Sequence, residues 1–195
     1  MGSGPDRDVL RAAGSRAGLL LTRAAAGTFR LITAWRIPAP AARVWEVLAD
    51  PGFTWPAWWP GLRAESAGVV TGPDGLGGAG SWARLRMRSP VGGVLRLRLD
   101  LLDSRAPGPG RTGRAKLRVS GDLRGGAAVS VRERPGGLCE IRLTWVVTAA
   151  RGRPALAARM APRLCAWAHS RVMRAGERGL RRHLARRGVV SDVTA

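Results

Sequence analysis

The chain has 195 residues, with 33 Lys+Arg against 13 Asp+Glu and a formal charge of +20. That length favours one domain of about 100–200 residues, and 45% hydrophobic with 24% charged residues excludes a disordered basic tail. The longest apolar runs, such as residues 17–21, fall far short of the ~20 a membrane span needs, and nothing near Asp6 and Asp8 reads as a secretory leader.

Lys116 is the sole lysine, so 33 − 1 = 32 of the cations are arginine. With tyrosine absent and Ala and Gly abundant, this composition reads as a GC-rich coding bias. Under that reading most arginines are lysine substitutes on solvated faces, and a basic surface for phosphate or anionic lipid is the alternative.

Residues 1–27 form a basic Ala/Gly-rich tail, expected to be flexible because Gly14 and Gly18 weaken any helix. From Thr28 the texture changes. Phe29, Leu31, Trp35 and Ile37 share one face of a period-2 strand interrupted by Thr33. Pro38-Ala39-Pro40 ends the strand, and Pro40 opens a helix whose apolar stripe is Val44, Trp45, Val47 and Leu48. Asp50-Pro51-Gly52 stops that helix. Residues 53–60 hold Trp55, Trp58 and Trp59 between prolines, which predicts a short helical turn.

Strands are then predicted over 63–71, 81–88, 94–104, 114–122, 127–133 and 138–149. Ala83, Leu85 and Met87 alternate with arginines, as do Leu95, Leu97, Leu99 and Leu101; Cys139, Ile141, Leu143, Trp145 and Val147 share a face. One apolar and one charged face predict an antiparallel sheet covered on one side. Leu164, Ala168, Val172, Gly176, Leu180 and Leu184 recur every four residues, widened by Trp167 and Met173, so a long helix follows from Pro162 to a stop at Gly188. The domain is therefore 28–188, with 189–195 a C-terminal tail.

The order of elements carries specific strings: residues 35–40 (WRIPAP), 44–51 (VWEVLADP), Trp55-Pro56 with 58–61 (WWPG), 120–125 (SGDLRG) and 169–176 (HSRVMRAG) before Gly179-Leu180. Together they make residues 28–187 resemble the SRPBCC superfamily (START-like, birch-pollen-allergen-like), closest to bacterial polyketide cyclase/dehydrase-family members. The resemblance implies an α+β helix-grip fold, a curved antiparallel sheet of about seven strands wrapped around a long C-terminal helix, with two short helices after strand 1. It also implies a cavity between sheet and helix for a hydrophobic ligand, with no agreed catalytic signature.

The candidate ligand-binding residues are Trp55, Trp58, Trp59, Met87, Leu97, Leu99, Trp145, Trp167, His169 and Met173. Aromatic walls suit flat ligands and methionine suits adaptable apolar pockets. The same residues are equally those of a plain core. His169 is the one weak candidate for acid/base chemistry, although no carboxylate lies one helical turn away. Ser130, Thr144 and buried arginine stems are the other polar candidates.

No metal or cofactor is expected: His169 and His183 lie about 21 Å apart along a helix, and two Cys with two His make no zinc pattern. Residues 75–80 match G-x-G-x-x-G, but a period-2 strand follows where a dinucleotide site requires a helix. Isolated Cys139 and Cys165 suit a reducing cytoplasm.

Three functions remain open on the residues: a binder of a lipid, polyketide or similar molecule, an aromatase/cyclase-type enzyme, and a basic-surface binder of anionic membrane or nucleic acid. Residues 151–187 hold eleven arginines and one acid, 11 − 1 = +10, enough for weak anionic membrane contact along the helix face. Nucleic acid is disfavoured for want of a motif or stacking aromatics. A monomer or homodimer is expected.

Overall fold

The computed structural model describes residues 20–24, 28–150 and 162–191. Strands β1 (Leu20–Ala24) and β2 (Thr28–Ile37) precede two short helices, α1 (Ala41–Leu48) and α2 (Trp55–Trp58). Six more strands follow: β3 (Leu62–Gly68), β4 (Trp82–Arg88), β5 (Val94–Arg105), β6 (Gly113–Gly121), β7 (Leu123–Arg134) and β8 (Leu138–Ala149). The chain then forms the long helix α3 (Pro162–Ser191). All strands join one antiparallel sheet in the order β1-β2-β8-β7-β6-β5-β4-β3.

The helix-grip architecture inferred from the sequence is present, with two differences. Leu20–Ala24 lies within the stretch read as a tail, yet pairs with β2 from Leu20↔Ile32 to Ala24↔Thr28 and adds an eighth strand at the edge. Its five residues are too short to show an alternation. Gly188 does not end α3, which continues to Ser191; a single glycine costs a helix only about 1 kcal/mol and does not force a stop.

The alternating pattern sorts the sheet's faces as the sequence requires. Trp35, Ile37, Ala83, Leu85, Leu99, Val119, Val131, Cys139, Ile141 and Val147 are buried, while the arginines between them are outward. Cation and ring also meet outside: the Arg98 guanidinium lies 4.5 Å over the Trp82 ring. Helix α1 packs on β7 and β8, and a carboxylate from the sheet completes its start. Pro40 offers no side-chain cap, but Glu133 of β7 accepts a hydrogen bond from the Ala41 N–H at 2.6 Å, placing negative charge at the helix N-terminus.

Helix α3 meets the rest of the domain through β2 and α2. Two glycines on it make the α2 contact possible. A Cβ at 176 would stand 2.5 Å from the Trp59 ring, and one at 179 would overlap the Trp58 carbonyl oxygen. The aromatic pair thus sits in a notch cut into the helix, fixed by a hydrogen bond from Trp59 Nε1 to the Val172 carbonyl at 3.2 Å. Gly179→Ala gains helix propensity, but its methyl meets backbone that cannot rotate away. The variant is expected to be less stable by about 1–3 kcal/mol, a fall of about 3–10 °C in Tm by thermal denaturation. An unchanged or raised Tm would show that α3 shifts freely.

Candidate functional site

The inward faces of the strands are not filled uniformly. Ala83, Ala115 and Ala127 stand where larger side chains would close the space between the sheet and the α1–α2 segment. The result is a cavity of about 130 Å³, partly open to solvent and almost wholly apolar. Its floor is Leu99, Leu117, Val129, Leu143 and Trp145 of the sheet; Trp35, Trp45, Leu48, Phe53, Trp55 and Trp59 form the wall.

Phe53 adopts a left-handed backbone (φ 49°), unusual for a side chain of its size, and its ring packs on Trp55 at 5.2 Å. The rim is made by the glycine-rich loop, through Val69, Gly77 and Ser81. That loop is anchored: the Gly77 N–H bonds the Ala49 carbonyl at the end of α1 at 2.7 Å, and the Gly78 N–H bonds the Val70 carbonyl at 2.7 Å. β4 follows it directly, so the G-x-G-x-x-G string opens no helix and is part of the cavity's mouth.

Of the residues singled out from the sequence, Trp55, Trp59, Leu99 and Trp145 line this cavity. The others lie elsewhere. Trp58 is buried against α3, 6.4 Å from the His183 ring. Met87 pairs across strands with Leu62 in the core, Leu97 packs at the core's margin, and Met173 is buried in the core. Trp167 is 46% exposed with the Arg171 guanidinium over its ring, and Leu164 is 46% exposed, whereas Ala166 between them is buried: the face turned inward is the one that carries Ala166, Met173 and Leu180 at seven-residue spacing. Among the described residues, the lining comes from the sheet, α1, α2 and the loop at 69–82; none comes from α3. The space expected between sheet and long helix is therefore displaced towards the short helices.

Ionisable groups are scarce around the cavity. Among the described residues, Asp50 is the only one in its lining, and both carboxylate oxygens are engaged, by the Gly52 N–H and the Thr54 hydroxyl, each at 2.8 Å. Hydrogen-bond donors are more telling. Trp55 Nε1 donates to the Leu48 carbonyl at 2.9 Å, but Trp35, Trp45 and Trp145 have buried indole N–H groups with no partner among the described residues. A buried unmade hydrogen bond costs about 1–3 kcal/mol. Trp58 Nε1, outside the cavity lining, is unpartnered in the same way, so open donors accompany the packed tryptophans on both sides of α2. Trp35 and Trp45 were visible in the sequence only as framework positions.

His169 is not part of this lining. Its Nε2 lies 3.2 Å from the Thr33 hydroxyl, which explains the polar residue that interrupts the apolar face of β2. Burial of the imidazole pushes its pKa down to about 4, although the residue as a whole keeps partial exposure. Burial likewise pushes the Cys139 thiol up to about 12, with Glu133 adding to the shift, and raises Cys165, so neither is an activated nucleophile. Among the described residues, no group of three His, Cys, Asp or Glu is placed to hold a metal ion. No helix there is long and apolar enough to cross a membrane.

The family model for polyketide cyclase/dehydrase and lipid transport proteins matches residues 29–185. The chain belongs to that family. Among curated proteins none matches. Solved structures that share its fold include the Zhui aromatase/cyclase from Streptomyces sp. R1128, at 16% identity and TM-score 0.58, over 82% of this chain and 95% of that one. A Rhodobacter sphaeroides protein is 18% identical with TM-score 0.55, over 86% and 98%. Human STARD10 is 12% identical with TM-score 0.52, over 91% and 80%. The superfamily expected from the sequence strings is thus established, with its helix-grip fold.

The pH dependence of His169 follows from its surroundings. Its folded pKa lies below the ordinary 6.5, so the unfolded chain takes up a proton first on acidification. Its stabilising neutrality is complete above about pH 6.5, is lost as pH falls towards 4, and changes no further below. The ceiling is about 3 kcal/mol, reduced by the residue's partial exposure, so His169→Gln should lose about 3–6 °C less Tm than the parent between pH 7 and 4. Parallel Tm curves for the two proteins would refute the assignment.

Proposed function

We propose that this protein binds a hydrophobic small molecule of the lipid or polyketide class, with a ring-sized part enclosed in the cavity and the remainder leaving through its mouth. The observation that carries this reading is an apolar cavity of about 130 Å³ walled by tryptophans. Membership of a polyketide cyclase and lipid transport family supports it. A void of that size accommodates about one aromatic ring; an engineered cavity of 150 Å³ in another protein binds benzene. The unpartnered indole N–H groups favour a ligand with oxygen acceptors, such as a ketone or phenol, over a pure hydrocarbon.

Carrying or sequestering the ligand is favoured over turning it over. Aldol condensation or dehydration needs groups that give and take protons at the reacting carbons. The lining offers Asp50 alone, already doubly hydrogen-bonded, and His169 stands outside it. Two thiols without a disulfide fit a reducing compartment such as the cytoplasm.

Indane and 1-indanone, which differ by one carbonyl, separate burial from hydrogen bonding. Both are expected to raise Tm, and 1-indanone to bind more tightly. Trp145→Phe should weaken 1-indanone about tenfold and leave indane unchanged, one hydrogen bond's worth of affinity. Ala115→Leu, which fills the floor, should weaken both by about tenfold or more at nearly unchanged Tm. Failure of both ligands to bind, together with native mass spectra showing no co-purified molecule, would overturn the proposal. Equal losses for the two ligands in Trp145→Phe would remove the hydrogen-bond part alone.

A further inference from the structure

A second concavity, of about 1090 Å³, opens between the C-terminal half of α3 and the β3–β4 edge of the sheet. Its base is the α2 segment, with Pro56, Trp58, Trp59 and Pro60. Five arginines line it from two directions: Arg63 of β3 with Arg86 and Arg88 of β4 on the sheet side, Arg182 and Arg186 on the helix side. No acid lines it. Arg86 pairs with Glu65 at 3.3 Å, whereas the guanidinium groups of Arg63, Arg88, Arg182 and Arg186 have neither ion pair nor hydrogen bond among the described residues.

These four cations differ from the arginines spread over the outer sheet. Residues from two distant parts of the sequence converge on one concave space, where low-dielectric walls concentrate their field. Arg186 also acts on the neighbouring His183, whose pKa is lowered by burial first, then by Arg187 and Arg186, against an opposing pull from Asp50. Guanidinium forks match the oxygens of phosphate in pairs, and four uncompensated charges call for more than the single charge of a carboxylate. The tryptophans beneath are buried, so they offer no exposed ring for a nucleobase to stack on.

We propose that this groove is a binding site for a phosphoryl group bearing two or more negative charges, a phosphomonoester or a diphosphate. It is independent of the cavity and of what the cavity holds. The phosphoryl group can belong to a soluble phosphate ester or to a lipid headgroup that leaves the plane of its membrane to enter the groove.

Calorimetric titration of the full chain with inorganic diphosphate in about 50 mM salt tests the site. One diphosphate per chain is expected. Arg88→Gln with Arg182→Gln, one from each wall, should weaken binding at least 30-fold; Arg114→Gln with Arg132→Gln, exposed on β6 and β7, removes the same charge and should change it less than threefold. All five positions are exposed, and Tm of each variant verifies folding; Arg186→Gln alone, with about tenfold loss expected, serves if a double variant is unstable. Equal losses in the two double variants, several diphosphates per chain, or no binding would each overturn the proposal.

A second arm uses phosphatidylcholine vesicles containing phosphatidic acid. Capture that needs Arg88 and Arg182 and is reversed by diphosphate identifies the headgroup as the source. Diphosphate binding without vesicle capture identifies a soluble ester. A DNA duplex that binds more tightly than diphosphate through the same two arginines would overturn the phosphoryl-ester assignment in favour of nucleic acid.

Discussion

Trp59 holds the three layers of the domain together. Its ring meets Trp35 of the sheet edge-on at 5.3 Å, stacks on Trp58 at 5.6 Å, and lies in the α3 notch at Gly176 while its N–H bonds the Val172 carbonyl. Sheet, short helix and long helix are thus registered by one side chain. The constraint runs both ways. The helix must carry glycine where the ring lies, and the ring must be large and flat enough to span from β2 to α3. With that contact in place, the α2 end of the α1–α2 segment is fixed, and the alanines of β4, β6 and β7 leave space under the segment rather than a filled core.

This arrangement divides the molecule into two chemically opposite compartments. The cavity is bounded by carbon and indole, and the one carboxylate among its described lining residues is already satisfied; the groove on the other border of α2 is bounded by five guanidinium groups, of which only Arg86 is paired among the described residues. Trp59 belongs to the boundary of both. The net charge of +20 is therefore not a uniform coat. Part of it pairs across the outer sheet surface, as Arg134 does with Glu140 at 2.8 Å, where exposed pairs contribute little to stability. Another part converges.

Much of the architecture was legible because alternation and the 3.6-residue repeat report which face is buried, and those faces are the ones observed. Proline and glycine punctuation placed the α1 start and the end of β2 within a residue or two. The strand at Leu20–Ala24 was not legible: it is an edge element stabilised by partners on β2 rather than by a pattern of its own. The site was legible only in part. Inward residues can be read from periodicity, but whether they meet a void depends on the sizes of side chains on other strands, here Ala83, Ala115 and Ala127. Trp167 widens the helical stripe in the sequence, yet it is 46% exposed while Leu180 is fully buried, since a four-residue repeat drifts around a helix of 3.6 residues per turn and the buried face instead follows Ala166, Met173 and Leu180. Thr33 and His169 each looked like an isolated irregularity until the fold put them 3.2 Å apart.

Six of the eight tryptophans, at positions 35, 45, 55, 59, 82 and 145, lie on the boundary of the apolar cavity, and the chain has no tyrosine. Its ultraviolet emission therefore originates mainly from the walls of one small space, without a phenolic background. The contents of that space, whether solvent, a quenching carbonyl or an energy-accepting aromatic, are written into the colour and intensity of the protein's own light. An unlabelled sample carries its own optical gauge of occupancy.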